Sequence, residues 1–185
     1  MSAISNPFGF RPAFHTTGNS RGTVFTIASG YATAMYRGQP VILNATGTLI
    51  AGTAAADIIG VFAGCEYVDA TGRPQESDFW PAGQVATQIK AYVYDDPSTV
   101  FEVQADGSIP QAAVGHQTDV TNVANGSAQG LSQATVSAGT TATAGQGQFR
   151  IVGFGQALDN AAGDAFTVVQ VRIARHEYVV SKVSL

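Results

Sequence analysis

Acid–base or metal chemistry would start at the three histidines, and none comes with the partners it needs. His116 and Asp119 are two ligand-type residues three apart in a polar, non-helical stretch, short of the set that holds zinc. His176-Glu177 follows Arg175 and reads as a surface ion-pair cluster, worth at most about 1 kcal/mol. His15, beside Phe14, suits an interface hydrogen-bond donor better than a base. Cys65 is the one cysteine, so it has neither a disulfide partner nor a second thiolate ligand. Its neighbour Glu66 would raise the thiol pKa rather than activate it, and a small buried hydrophobe is expected. Asp95-Asp96 could hold a cation, but two carboxylates before Pro97 are also an ordinary turn start. No serine lies in a nucleophile elbow, and Gly145-Gln-Gly147 and Gly153-Phe-Gly155 lack the third glycine of a dinucleotide loop. Trp80, Tyr92 and Tyr94 could line a sugar-binding face, although strand aromatics more often fill a core. No catalytic, cofactor-binding or metal-binding residue is assigned, and an enzyme is not expected.

The composition narrows the choice of partners. Only 12% of residues are charged while 45% are apolar, so the surface is built from small neutral side chains and the chain is not a disordered polyampholyte. A net charge of −4 argues against nucleic acid. No apolar run is long enough for a membrane helix, and the start Met1-Ser-Ala-Ile lacks the regions of a signal peptide. Glycosylation patterns at Asn44-Ala-Thr46 and Asn125-Gly-Ser127 therefore carry no weight. Residues 1–56 hold Arg11, Arg21 and Arg37 and no acid, a charge of +3, which leaves −7 for the remainder. Between Lys90 and Arg150 there are five acids and no base, so two faces with different surroundings are expected.

The elements that would carry these residues read as strands. Gly22–Ala28 is rich in β-prone side chains. Gly38–Leu43 and Thr48–Ala51 flank Asn44-Ala-Thr-Gly47 as a hairpin. Ile58–Val68 is apolar throughout and reads as a central strand, with Gly60 and Gly64 marking bulges or close backbone approach. Asp69–Pro74 is a turn. Over Gln84–Tyr94 the alternation places Val85, Thr87, Ile89, Ala91 and Val93 on one face. Thr99–Gln104, Phe149–Phe154 and Phe166–Ala174 are further strands, and Tyr178–Val183 reads as an edge strand. Residues 110–148 are polar and small, either a loop or a small second lobe, with Ser137–Gln148 an exposed connector. Short strands with frequent turns predict an all-β fold: an antiparallel β-sandwich or barrel, jelly-roll-like, over residues 23–185. Residues 1–22 form an extended N-terminal arm, shaped by Pro7 and Pro12, whose phenylalanines dock on the chain's own core or on a neighbour.

A low-charge β-protein with such an arm suits assembly, because closed homo-oligomers cover apolar faces and strand edges. Asn6-Pro-Phe-Gly-Phe-Arg-Pro12, Gly38-Gln-Pro-Val-Ile-Leu43, Ile59-Gly-Val-Phe-Ala-Gly64 and Val171-Arg-Ile-Ala-Arg-His-Glu-Tyr178 resemble small proteins encoded beside the major capsid gene of tailed bacteriophages. Those look like head decoration, or cement, proteins. The resemblance spans most of the chain and is poorest over 110–148. It implies a homo-oligomer, typically a trimer, made in the bacterial cytoplasm and seated on the outer surface of the expanded capsid. Its partners would be the major capsid protein and itself, with no cofactor, nucleic acid or membrane. On that view the basic N-terminal segment faces the capsid or a neighbouring subunit through Phe8, Phe10, Arg11, Phe14, His15 and Arg21. Deleting residues 1–20 would then leave the β core folded and weaken capsid attachment or oligomer stability. The alternatives are a carbohydrate-binding β-sandwich on the virion surface and a head–tail connector or tail component.

Overall fold

Short β-prone runs, broken by glycine and Asx turns, fold into antiparallel sheets. The computed structural model describes residues 4–18, 21–54, 56–139 and 147–179. The strands are β1 (Arg11–Phe14), β2 (Thr23–Phe25), β3 (Pro40–Leu43), β4 (Leu49–Ala51), β5 (Gly60–Asp69), β6 (Pro74–Ser77) and β7 (Ala86–Tyr94). They continue with β8 (Val100–Gln104), β9 (Gln117–Thr118), β10 (Val120–Thr121), β11 (Thr135–Val136), β12 (Phe149–Phe154) and β13 (Val168–Ile173). A single 3-10 turn, Gln111–Ala113, is the only helical element among the described residues. One sheet runs β1-β8-β13-β12-β9, and another runs β2-β7-β5-β3-β4 with β6 also on β5. β10 and β11 form a small ladder of their own. The architecture is all-β and antiparallel, as the sandwich expectation requires.

Two apolar clusters hold these sheets. The first gathers Phe101 and Val103 of β8, Phe149 and Ile151 of β12, and Val169 and Val171 of β13. The second gathers Val41, Leu49, Phe62, Trp80 and Val93 around the other sheet. β5 explains why its sequence is apolar without alternation: Val61 belongs to the first cluster and its neighbour Phe62 to the second. A strand buried on both faces shows a continuous run rather than period 2.

Irregularities fall where the sequence hinted at some and hid others. The β5–β7 register slips between Phe62 and Gly64, the bulge expected at that glycine. It slips again opposite Gln88, which sits at φ 52. That second bulge inverts the side-chain parity. Ala91 and Val93 point inward as expected, but Val85 is 61% exposed while Ala86 is buried. β6 follows the expected Asp69–Pro74 turn and is not itself an expected strand; it forms because Asp69 Oδ1 accepts from Thr71 and Arg73 N–H and folds Pro74–Ser77 back onto β5.

Residues 110–148 contribute Ala113, Val120, Ala134 and Val136 to the first cluster and β9 to the edge of its sheet. Small side chains at these four positions permit close packing, while residues such as Val114 and Leu131 remain exposed. The connector Ser137–Gln148 differs from its reading at its end, residues 140–146 lying outside the described residues. Gln148 is fully buried. Its Nε2 donates to the Thr53 and Ala56 carbonyls at 2.9 and 2.7 Å, and its Oε1 accepts from Val120 N–H at 3.0 Å.

Arg175-His176-Glu177 is a surface ion-pair site only at Arg175. Arg175 pairs with Asp57 at 2.6 Å, and Glu177 accepts from Leu43 N–H at 2.8 Å. His176 is buried, donates from Nε2 to the Asp95 carbonyl at 2.7 Å and accepts Tyr178 N–H at Nδ1. These three residues fasten the chain's end to the rest of the molecule. Tyr178 and Val179 lie outside any strand, and the remainder of the expected edge strand, residues 180–183, lies outside the described residues.

Candidate interaction surface

The N-terminal segment crosses the molecule through a glycine pair. Gly9, at φ 72, lies so close to Ser132 and Gly38 that a Cβ would meet Ser132 Cβ at 2.8 Å and the Gly38 carbonyl oxygen at 2.9 Å. Gly38, at φ 82, packs against the Phe10 backbone and accepts Phe10 N–H at 2.8 Å. Only residues without a Cβ allow this crossing at positive φ. Upstream, the Gln104 side chain accepts Asn6 N–H and donates to the Ile4 carbonyl, extending the attachment of the segment to β8.

The crossing separates the candidate residues into two sets. Phe10 is 1% exposed, stacks on Phe149 at 4.4 Å and meets Phe101 edge-on at 6.4 Å. It fills the first apolar cluster of its own chain. Deleting residues 1–20 would take away Phe10 and β1 together, so this packing does not favour the expectation that the β core stays folded without them. Phe8, Arg11, Phe14 and Arg21 face outward or sit at the rim, whereas the His15 side chain is covered. Arg11 lies over the Phe8 ring at 4.9 Å and pairs with Glu102 at 2.8 Å, with most of its side chain in solvent. Phe14 is 50% exposed at the end of β1. Arg21 is exposed and forms no ion pair among the described residues.

His15 closes the segment onto the 95–96 turn. Its Nε2 donates to Asp96 Oδ2 at 2.9 Å, and its Nδ1 accepts Thr17 N–H at 3.1 Å. Ser98 N–H, first, and this histidine hold the Asp96 carboxyl below the usual carboxylate range. Thr23 at the start of β2 donates its hydroxyl to Asp95 at 2.8 Å. The two acids thus tie β1 and β2 to the connection between β7 and β8. Both tied strands are sheet edges, and each exposes an apolar side chain, Phe14 at 50% and Val24 at 53%. Beside β1 a groove of about 250 Å³ is walled by Phe8, Arg11, Arg37, Phe62, Tyr94 and Leu131.

This surface can bind, and on it the Thr17 hydroxyl lies 2.7 Å from His15 Nδ1. Burial pushes the Cys65 thiol up to about 12. Among the described residues, no three His, Cys, Asp or Glu side chains converge as metal ligands. Trp80 is fully buried against Tyr67, and the Tyr92 hydroxyl donates to Glu66 at 2.8 Å, so Trp80 offers no platform to a sugar. The exposed partners Val24, Arg37 and Leu131 escaped sequence reasoning, because no local pattern reveals which strands become edges. The chain matches no protein-family model, no curated protein and no solved structure.

Proposed function

We propose that the chain is a structural virion protein that binds the outer surface of a tailed-phage capsid and stabilises the expanded shell by bridging its subunits. The reading rests first on the resemblance of the N-terminal and strand motifs to capsid cement proteins. The observation that carries it is the pair of edge strands, β1 and β2, with Phe14 and Val24 exposed on them. A solitary β-protein guards its edges with charge, proline or bulges; here β1 has Arg11, Pro12 and one register slip, and β2, Thr23-Val-Phe25, has none of these within the strand. Covering those edges with a second surface removes the liability and contributes binding free energy.

Bridging follows from thermodynamics. A clamp stabilises the expanded lattice only by as much as it binds that lattice better than the precursor. Repeated weak contacts from one homo-oligomer, for which a trimer is the expected state, add through effective concentration. The test is cosedimentation with expanded and with precursor shells of the cognate phage. Saturable binding at least tenfold tighter to the expanded form is expected. Equal binding to both, or none to either, overturns the reading.

A further inference from the structure

An asparagine can be attacked at its side-chain amide carbon by the backbone nitrogen of the next residue. The attack needs a carboxamide free to turn and a nitrogen that is neither crowded nor engaged. Asn44 accepts Thr46 and Thr48 N–H at Oδ1 and donates from Nδ2 to Thr48. Asn160 donates from Nδ2 to the Gly155 and Val168 carbonyls and accepts Val168 N–H at Oδ1. Asn122 donates from Nδ2 to the Thr135 hydroxyl at 3.0 Å. Each of these three would have to break hydrogen bonds before its amide could turn onto the chain. Asn6 precedes Pro7, which has no N–H, and Asn19 lies outside the described residues.

Asn125 differs on every count. Its side chain is exposed and forms no hydrogen bond among the described residues. It opens the only Asn-Gly step in the sequence, and Gly126 has no Cβ to crowd its nitrogen. Gly126 faces Ser132 in an isolated antiparallel bridge, where Ser127 N–H donates to the Leu131 carbonyl and Gln133 N–H to that of Asn125. The Gly126 N–H itself is left without an acceptor among the described residues. Packing also requires this glycine. A Cβ at 126 would overlap the Tyr36 ring, which stacks on Phe79, and Phe79 crowds Gly130 in the same way. We infer that Asn125 is a site of spontaneous covalent modification, in which the Gly126 nitrogen displaces the side-chain ammonia and water opens the resulting ring to aspartate or isoaspartate. The bond from the Gly126 nitrogen to Cγ forms as that nitrogen gives up its proton. The Cγ–Nδ2 bond breaks, and ammonia leaves carrying one proton in return. Water then cleaves the cyclic imide. Cleavage at Cγ leaves aspartate, and cleavage at the backbone carbonyl leaves an isoaspartyl link with one more carbon in the main chain. Either product adds one negative charge to the net charge of −4, on the loop whose Leu131 walls the groove beside β1. The inference is independent of the capsid reading, since it needs only the loop and its chemistry.

Ageing of the full folded chain in mildly alkaline buffer tests it, read by isoelectric focusing, peptide mass mapping and labelling with an isoaspartyl methyltransferase. One acidic variant is expected, mapped to residue 125 and forming at least about tenfold faster than any change at Asn44, Asn122 or Asn160. Its formation quickens as pH rises, because the attacking nitrogen must lose its proton. Asn125→Gln, whose amide would have to close a larger ring, keeps the wild-type Tm and does not form the variant. An Asn125 that stays intact in the folded chain while a urea-unfolded sample reacts overturns the proposal. So does an acidic variant that maps elsewhere or persists in Asn125→Gln.

Discussion

Phe10 and Phe14 lie four residues apart in the same segment and do opposite work. Phe10 is enclosed by Phe149 and Phe101, so Phe10→Ala should destabilise the fold by about 3–5 kcal/mol in urea titrations. Phe14→Ala should change stability by less than about 0.5 kcal/mol, since half of the side chain is in solvent. Proline and aromatic content identified the segment as adhesive, but the order of burial depends on the Gly9–Gly38 crossing, which brings together residues 29 positions apart. Cys65 was legible from its neighbours alone: an apolar run and an adjacent acid predict an inert thiol. With its pKa pushed up to about 12, the native protein should resist a thiol reagent at pH 8 and react fully once unfolded. Rapid labelling of the folded chain would contradict that placement.

The strands over 40–51, 60–69, 100–104, 149–154 and 168–173 were readable from β-branched runs bounded by turn residues. Three features were not. The Gln88 bulge arises from pairing with β5, and no glycine marks it. The burial of Ala113, Val120, Ala134 and Val136 depends on contacts with distant strands in the first cluster, whereas the composition of residues 110–148 reads as a loop or a small second lobe. β6 exists because of the Asp69 turn. The Thr71 hydroxyl, then the Arg73 N–H, followed by Thr71 N–H and the Gln75 amide, lower the Asp69 carboxyl to about 2. A carboxyl depressed in the folded state contributes stability above its unfolded value, near ~3.9, and loses it as pH falls through the folded value. The stability difference between wild type and Asp69→Asn should therefore be constant above about pH 5 and close between about pH 4 and 2. A difference that closes at higher pH would show that the turn does not hold the carboxylate in solution.

At the scale of the molecule, two apolar clusters share β5, and the N-terminal segment, β2 and the chain's last described residues all converge on the Asp95-Asp96 turn. The surface is left with little charge and two lightly guarded edges. A trimer should read about 57 kDa by light scattering, against 19.1 kDa for one chain. A monomer would make the shell itself the template for assembly. The central claim is that the β1 and β2 edges attach this protein to a capsid, and their exposed apolar side chains permit a direct test. Phe14→Asp with Val24→Asp places charge on both edges without touching either core. The measurement is retention of this variant on expanded shells by cosedimentation, beside wild type and with matched Tm. At least a tenfold loss of affinity is predicted, and retention equal to wild type would contradict the account.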